Sequence, residues 1–149
     1  MTKVRRQERP FGPEKQVQVG DVLINSTGEG TLGRVAQVKA EIPNCTVDSH
    51  VTIVRPSSEI GWRYFGMALM ELEPHFSVMG RGATNQTELR RATLADAPVL
   101  APTKPLVDSL EAIVSPISQQ VLNLTEQISR LRQARDLLLP KLMSGEVEV

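Results

Sequence analysis

The sequence predicts an α+β fold: a small mixed, β-rich domain followed by a long C-terminal coiled-coil helix. Three observations lead there. Short apolar and β-branched runs, Val22-Leu23-Ile24 and Val51-Thr52-Ile53-Val54, are set off by glycine and asparagine turns. The period then changes, because Trp62, Phe65, Leu69 and Leu72 are spaced 3, 4 and 3, which places them on one helix face. Beyond Pro105 an apolar seam repeats at spacings of 4 and 3 as far as Leu138, the pattern of a coiled coil.

Residues 1–15 read as a basic, irregular N-terminal arm. Lys3, Arg5, Arg6, Arg9 and Lys15 face only Glu8 and Glu14, and Pro10, Gly12 and Pro13 disfavour regular structure. Residues 16–104 read as the α+β domain. Val17 and Val19 alternate with Gln16 and Gln18, a strand-like period of two. Gly20-Asp21 is a turn, and Val22-Leu23-Ile24 is a strand stopped by Asn25-Ser26-Thr27-Gly28. Arg34 to Lys39, with Val35 and Val38, is a second strand candidate, and Val51 to Val54 is a third, closed by Pro56. Ser57 or Ser58 can cap the helix that carries Trp62, and Pro74 lies just past its end. Gly80 to Thr87 is a loop by composition, and Pro98, Pro102 and Pro105 mark a boundary.

Residues 105–149 read as the helix and its tail. The seam has Val114, Val121, Ile128 and Arg135 at a, and Leu110, Ile117, Leu124, Leu131 and Leu138 at d. Ser115-Pro116 fits an N-cap followed by a first-turn proline, so a kink or a fresh start is expected there. A helix from 116 to 139 would be about 36 Å long at ~1.5 Å per residue. Pro140 and Gly145 are expected to end it. The seam packs either on its own domain or on a second helix. The second helix is preferred, because a helix this long outreaches a body of about 85 residues with a radius of gyration of ~12 Å.

Composition narrows the function. A chain of 149 residues holds one ordinary domain, or a small domain with an extension. Seventeen Lys and Arg balance seventeen Asp and Glu, so net charge points to no partner. A single cysteine, Cys45, excludes an internal disulfide and a cysteine zinc cluster. With only His50 and His75 beside it, no metal and no cofactor are expected. No apolar run approaches the ~18 residues that cross a membrane, and the start Met-Thr-Lys-Val-Arg-Arg lacks a signal peptide's apolar segment. The expectation is a cytoplasmic protein with no membrane partner.

Three constellations suggest chemistry. Gly28-Glu29-Gly30-Thr31-Leu32-Gly33 matches the dinucleotide fingerprint, with Asp48 following 20 residues after Gly28. That fingerprint needs a helix at its third glycine to offer amides to a pyrophosphate, whereas Arg34 to Val38 reads as strand. A glycine-rich turn between two strands explains the run. Asp48-Ser49-His50 invites a triad, but neighbours on a strand point to opposite faces, so a structural hydrogen-bonding role is preferred. Glu71 and Glu73, which flank Leu72 near a helix end, read as a solvated face and not as an acid/base pair. No catalytic cluster emerges, and the protein is not expected to be an enzyme.

The polar loops fit recognition better. Asn25-Ser26-Thr27 and Arg34 bracket one glycine turn, and Arg81 to Thr87 forms another, followed by Arg90-Arg91. Arg, Asn and Gln can form bidentate contacts to base edges, while Ser, Thr and glycine amides suit phosphates. Such loops also occur on any soluble protein, so composition alone leaves both readings open.

Longer motifs then carry a resemblance. The run Leu131-Arg132-Gln133-Ala134-Arg135-Asp136-Leu137-Leu138-Leu139-Pro140-Lys141-Leu142-Met143-Ser144-Gly145-Glu146 closely resembles the end of the specificity (S) subunit of type I restriction-modification enzymes. Gly20 to Gly28, Gly33 to Ala36 and Val47 to Pro56 resemble the middle of a target-recognition domain in that family. Gly82 to Leu89 resembles a Thr/Gln-containing turn before the family's linker. These stretches cover most of residues 17–149 in family order. An S subunit has two target-recognition domains, each reading half of a split DNA sequence. Its long helices pack as a coiled coil that spaces the domains and docks the methyltransferase (M) subunits. It performs no chemistry itself.

The resemblance implies that residues 16–104 are a target-recognition-like domain and residues 105–149 the family's coiled-coil helix and tail. It implies double-stranded DNA and an M subunit as partners, and indirectly the restriction (R) subunit. DNA contacts are expected from Asn25, Ser26, Thr27, Arg34, Arg81, Thr84, Gln86, Arg90 and Arg91, with phosphate help from the basic arm. The helix is expected to dimerise or to dock the M subunit through Ile117, Val121, Leu124, Ile128, Leu131 and Leu138. The chain departs from the family in having only about 19 residues before the Gly20-Asp21 turn, and Asp108-Ser109 where many relatives carry Glu-Gln. A half-length or truncated S subunit is therefore expected. The alternative is an assembly or dimerisation protein that no longer reads DNA.

Overall fold

In a computed structural model of the protein, the described residues are 11–79 and 88–146. The chain divides into two compact units, Met1–Asp108 and Ser109–Val149. The first unit is built on three short strands, β1 (Val22–Asn25), β2 (Val35–Gln37) and β3 (Val51–Val54). They form one antiparallel sheet in the order β2-β1-β3. Ile24 pairs with Val35 on one side and with Thr52 on the other. In β1 every second side chain is buried, with Val22 and Ile24 inside and Leu23 and Asn25 half-buried, as the two-residue strand period requires. β1 turns into β2 through Gly28, Gly30 and Gly33, which all have positive φ (101°, 74° and 78°). Only glycine takes that conformation readily.

The second strand candidate continues past β2, because the Gly20 amide donates to the Val38 carbonyl at 2.8 Å and the Val38 amide to the Asp21 carbonyl at 2.9 Å. The alternation at 16–19 does not make a strand. Val17 is buried but Val19 is exposed, where a period of two would put both on one face; the Val17 amide bonds to the Cys45 carbonyl in a loop and the Gln18 amide to the Asp21 carboxylate. With its donors engaged in this way, the segment builds no ladder.

One face of the sheet is covered by α1 (Trp62–Glu71) and α2 (Glu73–Met79). Val22, Ile24, Leu32, Phe65, Leu69, Phe76 and Leu89 form the core, and burying a side chain such as Phe76 contributes on the order of 2–3 kcal/mol. The cap of α1 differs from expectation. Gly61 occupies the N-cap and no side chain caps it, while the Ser57 carbonyl is taken up in a turn by the Ile60 amide. Pro74 lies just past the end of α1, as expected, and a second helix then begins around it. It is the second residue of α2, where a missing N–H leaves no bond unmade. A short helix, α3 (Arg91–Ala95), follows Leu89. The Tyr64 hydroxyl donates to the Leu100 carbonyl at 2.8 Å and fastens the proline-rich segment.

The last helix, α4 (Lys104–Met143), is 40 residues long, about 60 Å at ~1.5 Å per residue. It runs through Pro116 and Pro140, so there is no fresh start at the first and no stop at the second. Each proline removes one backbone donor and crowds the carbonyl four residues back, a local defect of ~3 kcal/mol, which the turns on either side carry. Gly145 ends the helix as expected. At φ 73° it lets the Glu146 amide reach the Lys141 carbonyl (3.0 Å) and the Gly145 amide the Leu142 carbonyl (3.3 Å), a Schellman closure. The polar face is tied internally by Glu126–Arg130 and Gln119–Asn123, both at the i,i+4 spacing that favours side-chain pairs. No helix among the described residues is long and apolar enough to cross a membrane.

Candidate nucleic-acid interface

The end of the sheet at Asn25 gathers four stretches of chain. The Ser26 amide donates to the His50 carbonyl at 2.7 Å, and the Leu89 amide to the Ser26 carbonyl at 2.9 Å. A bridge pairs Thr27 with Glu88. Residues 25–34, 48–51 and 88–91 therefore meet at this end, and α2 closes one side of the glycine loop.

Hydrogen bonding divides the expected DNA contacts into two kinds. Asn25 faces inward to the loop: its Nδ2 donates to the Thr27 carbonyl (2.8 Å), the Thr31 carbonyl (2.9 Å) and the Thr31 hydroxyl (2.9 Å). Ser26 is buried, and its hydroxyl shares a 2.7 Å hydrogen bond with Thr52. Thr27 shares a 2.8 Å hydrogen bond with His50 Nδ1. These three side chains shape the loop. Arg34, Arg90 and Arg91 are exposed. Arg90 is the N-cap of α3 and Arg91 its first residue, and both follow the Leu89 anchor, which is 2% exposed. Arg81, Thr84 and Gln86 lie outside the described residues.

Two residues join this end of the sheet that the sequence did not mark as contacts. His50 holds Thr27, and its own amide donates to Asp48 Oδ1 at 2.8 Å in a turn ahead of β3. Asp48-Ser49-His50 is thus a turn and not a strand, and its hydrogen bonding is structural. Glu73 is half-buried and not simply solvated, because its Oε2 accepts the Val35 amide at 2.8 Å. Val35 lies 38 residues before it, so no local pattern signals the contact. Gly30, Leu32, Arg34, Met70, Glu73 and Ser77 line an open cleft here.

Behind the loops a buried carboxylate pairs with an exposed arginine. Asp21, 1% exposed, accepts from Arg55 Nε and Nη2 and from the Gln18 amide. The hydrogen bond to Asp21 raises the pKa of Arg55, so its guanidinium stays charged. The glycine run leads into β2 and not into a helix, so it offers no helix N-terminus to a pyrophosphate. Among the described residues no group of three or more His, Cys, Asp or Glu could hold a metal ion.

The seam of α4 forms a second surface. Ile117, Val121, Leu124, Ile128, Leu131 and Leu138 are 46–69% exposed. Six large aliphatic side chains are thus left open along one helix face.

No protein-family model matches the chain. A protein named type I restriction enzyme MjaIX specificity subunit, from Methanocaldococcus jannaschii, is 28% identical over 131 residues. The aligned stretch covers 86% of this chain and 29% of the relative, so the chain spans under a third of that relative's length. A stretch of this extent takes in all three strands and at least half of α4. The likeness supports a relationship to the specificity subunits of type I restriction enzymes that extends over both units of the chain.

Proposed function

We propose that this chain is a DNA-sequence-recognition (specificity) component of a type I restriction-modification system, with no catalytic role of its own. The observation that carries the reading is the likeness to a named specificity subunit over 86% of the chain. The loop cluster presents exposed arginines at one end of a small sheet, which suits contacts to phosphates and base edges. In this reading the domain binds double-stranded DNA. The α4 seam pairs with a second copy or docks a methyltransferase subunit, and through it the restriction subunit. Titrating the chain against random duplex DNA at increasing salt tests the reading. Neutralisation of several phosphates gives log K falling with log salt by ~0.9 per phosphate. No binding at low salt, with or without a methyltransferase subunit, overturns it.

A second reading draws on the inward-facing Asn25 and Ser26: an assembly protein whose helix still docks but whose domain no longer reads DNA. It predicts a complex with the methyltransferase subunit and no salt-dependent DNA binding.

A further inference from the structure

We propose that Arg34 and Glu73 together read one G·C base pair, an inference that rests on the DNA-recognition reading. Both line the same open cleft of about 440 Å³, with Met70 and Ser77. Glu73 is held in place by one oxygen, since Oε2 accepts the Val35 amide at 2.8 Å. Val35 follows Arg34 directly, so the carboxylate is fixed beside the Arg34 backbone. Its Oε1 accepts no hydrogen bond from the described residues, and the exposed Arg34 guanidinium makes no hydrogen bond or ion pair with them.

The pair thus offers a two-donor fork beside one acceptor. In the major groove a G·C pair presents guanine N7 and O6 as acceptors, then cytosine N4 as a donor. The fork takes the two guanine acceptors and the carboxylate takes the cytosine amino group. An A·T pair presents acceptor, donor, acceptor on the same edge. There the fork meets the adenine amino group and the carboxylate meets the thymine carbonyl, like against like, so the wrong pair is repelled as well as less well bound. A phosphate would suit Arg34 alone, but Glu73 disfavours it.

Selection from a randomised duplex pool tests this, using the full chain at low salt with wild type, Arg34→Ala and Glu73→Gln in parallel. Wild type should enrich sites that contain a fixed G·C pair. Arg34→Ala should free that position alone, lowering discrimination there about tenfold or more and leaving other fixed positions as they were. Glu73→Gln keeps an acceptor for the Val35 amide while placing a donor toward cytosine, so the same position should lose its preference. Arg34 is exposed, and Arg34→Ala decides the matter alone if Glu73→Gln weakens the fold. Unchanged fixed positions in Arg34→Ala overturn the inference and leave DNA recognition standing. Wild-type binding without any sequence preference also overturns it. A wild type that retains no duplex overturns the DNA reading itself.

Discussion

Arg55 grips Asp21 side-on, Nε to Oδ1 and Nη2 to Oδ2, each at 2.8 Å. Asp21 precedes β1 and Arg55 follows β3, so the pair clips neighbouring strand ends together. Losing Arg55 leaves a buried carboxylate with one backbone donor, whereas losing the Asp21 charge leaves an arginine side chain that is 39% exposed and can turn to water. Arg55→Ala is expected to lower stability by about 3 kcal/mol, and Asp21→Asn by less, as read by urea denaturation. The raised arginine pKa sets the sign with pH. A base held above its ordinary value stabilises fully below that value and loses the effect only in strong alkali. The contribution should therefore be flat through the neutral range.

Asn25 and Arg34 were equal candidates by residue type, and the structure separates them. Asn25→Ala removes the donors that hold the glycine loop and should cost about 1–2 kcal/mol, a fall in Tm of roughly 5–10 °C for a unit of this size. Arg34→Ala should leave Tm unchanged and weaken DNA binding. Calorimetry and a binding titration on the two variants check this, and equal Tm values would contradict it.

Gly33 and Gly30 share a positive φ but differ in surroundings. A methyl group on Gly33 would sit 2.5 Å from the Ser77 backbone nitrogen, and one on Gly30 would meet nothing within 4 Å. Gly30→Ala should cost about 1 kcal/mol from backbone strain alone. Gly33→Ala should cost about 3 kcal/mol, because α2 must also shift. Denaturation midpoints of the two variants give the comparison.

Arg90 and Arg91 sit where the Leu89 anchor brings the chain against β1. If each neutralises one phosphate, Arg90→Ala and Arg91→Ala should each reduce the salt slope of DNA binding by about 0.9. An unchanged slope in both would remove this segment from the interface.

Leu124 and Leu131 lie in the exposed seam at 46% and 69% exposure. Leu124→Asp and Leu131→Asp should leave the first unit folded and reduce the mass in solution, or abolish capture of a methyltransferase subunit. Sedimentation equilibrium and circular dichroism together read this. Unchanged mass and unchanged capture would mean that the seam is not an interface.

The sheet, α1 and the long helix were legible in the sequence because each rests on a repeated pattern. Val51-Thr52-Ile53-Val54 is β-branched throughout, and the α4 seam holds its spacing over many turns. The misreadings came from single residues whose meaning depends on position. Ser57 and Ser58 are chemically fit to cap α1, yet Gly61 occupies that place. Pro116 breaks a short helix but is carried by a 40-residue one. The site was less legible for a related reason. Asn25 and Ser26 are chemically suited to DNA, yet their partners Thr31 and Thr52 take them inward, and the Glu73–Val35 contact spans 38 residues, beyond any local motif.

In the proposed DNA-recognition reading, the inward wiring of Asn25 has a consequence for how such a domain can change its target. The side-chain hydrogen bonds that keep the hairpin in shape join Asn25, Ser26 and Thr27 to Thr31, Thr52, His50 and the backbone, and among the described residues none involves the Arg34 side chain. A substitution at 34 therefore rewrites what the hairpin presents without disturbing what holds it. Position 73 is freer than a core residue but must keep an oxygen for the Val35 amide, which limits it to a smaller alphabet. Diversification of this cleft is thereby channelled into one open position, 34, and one constrained one, 73, and the scaffold can stay constant while its lettering changes.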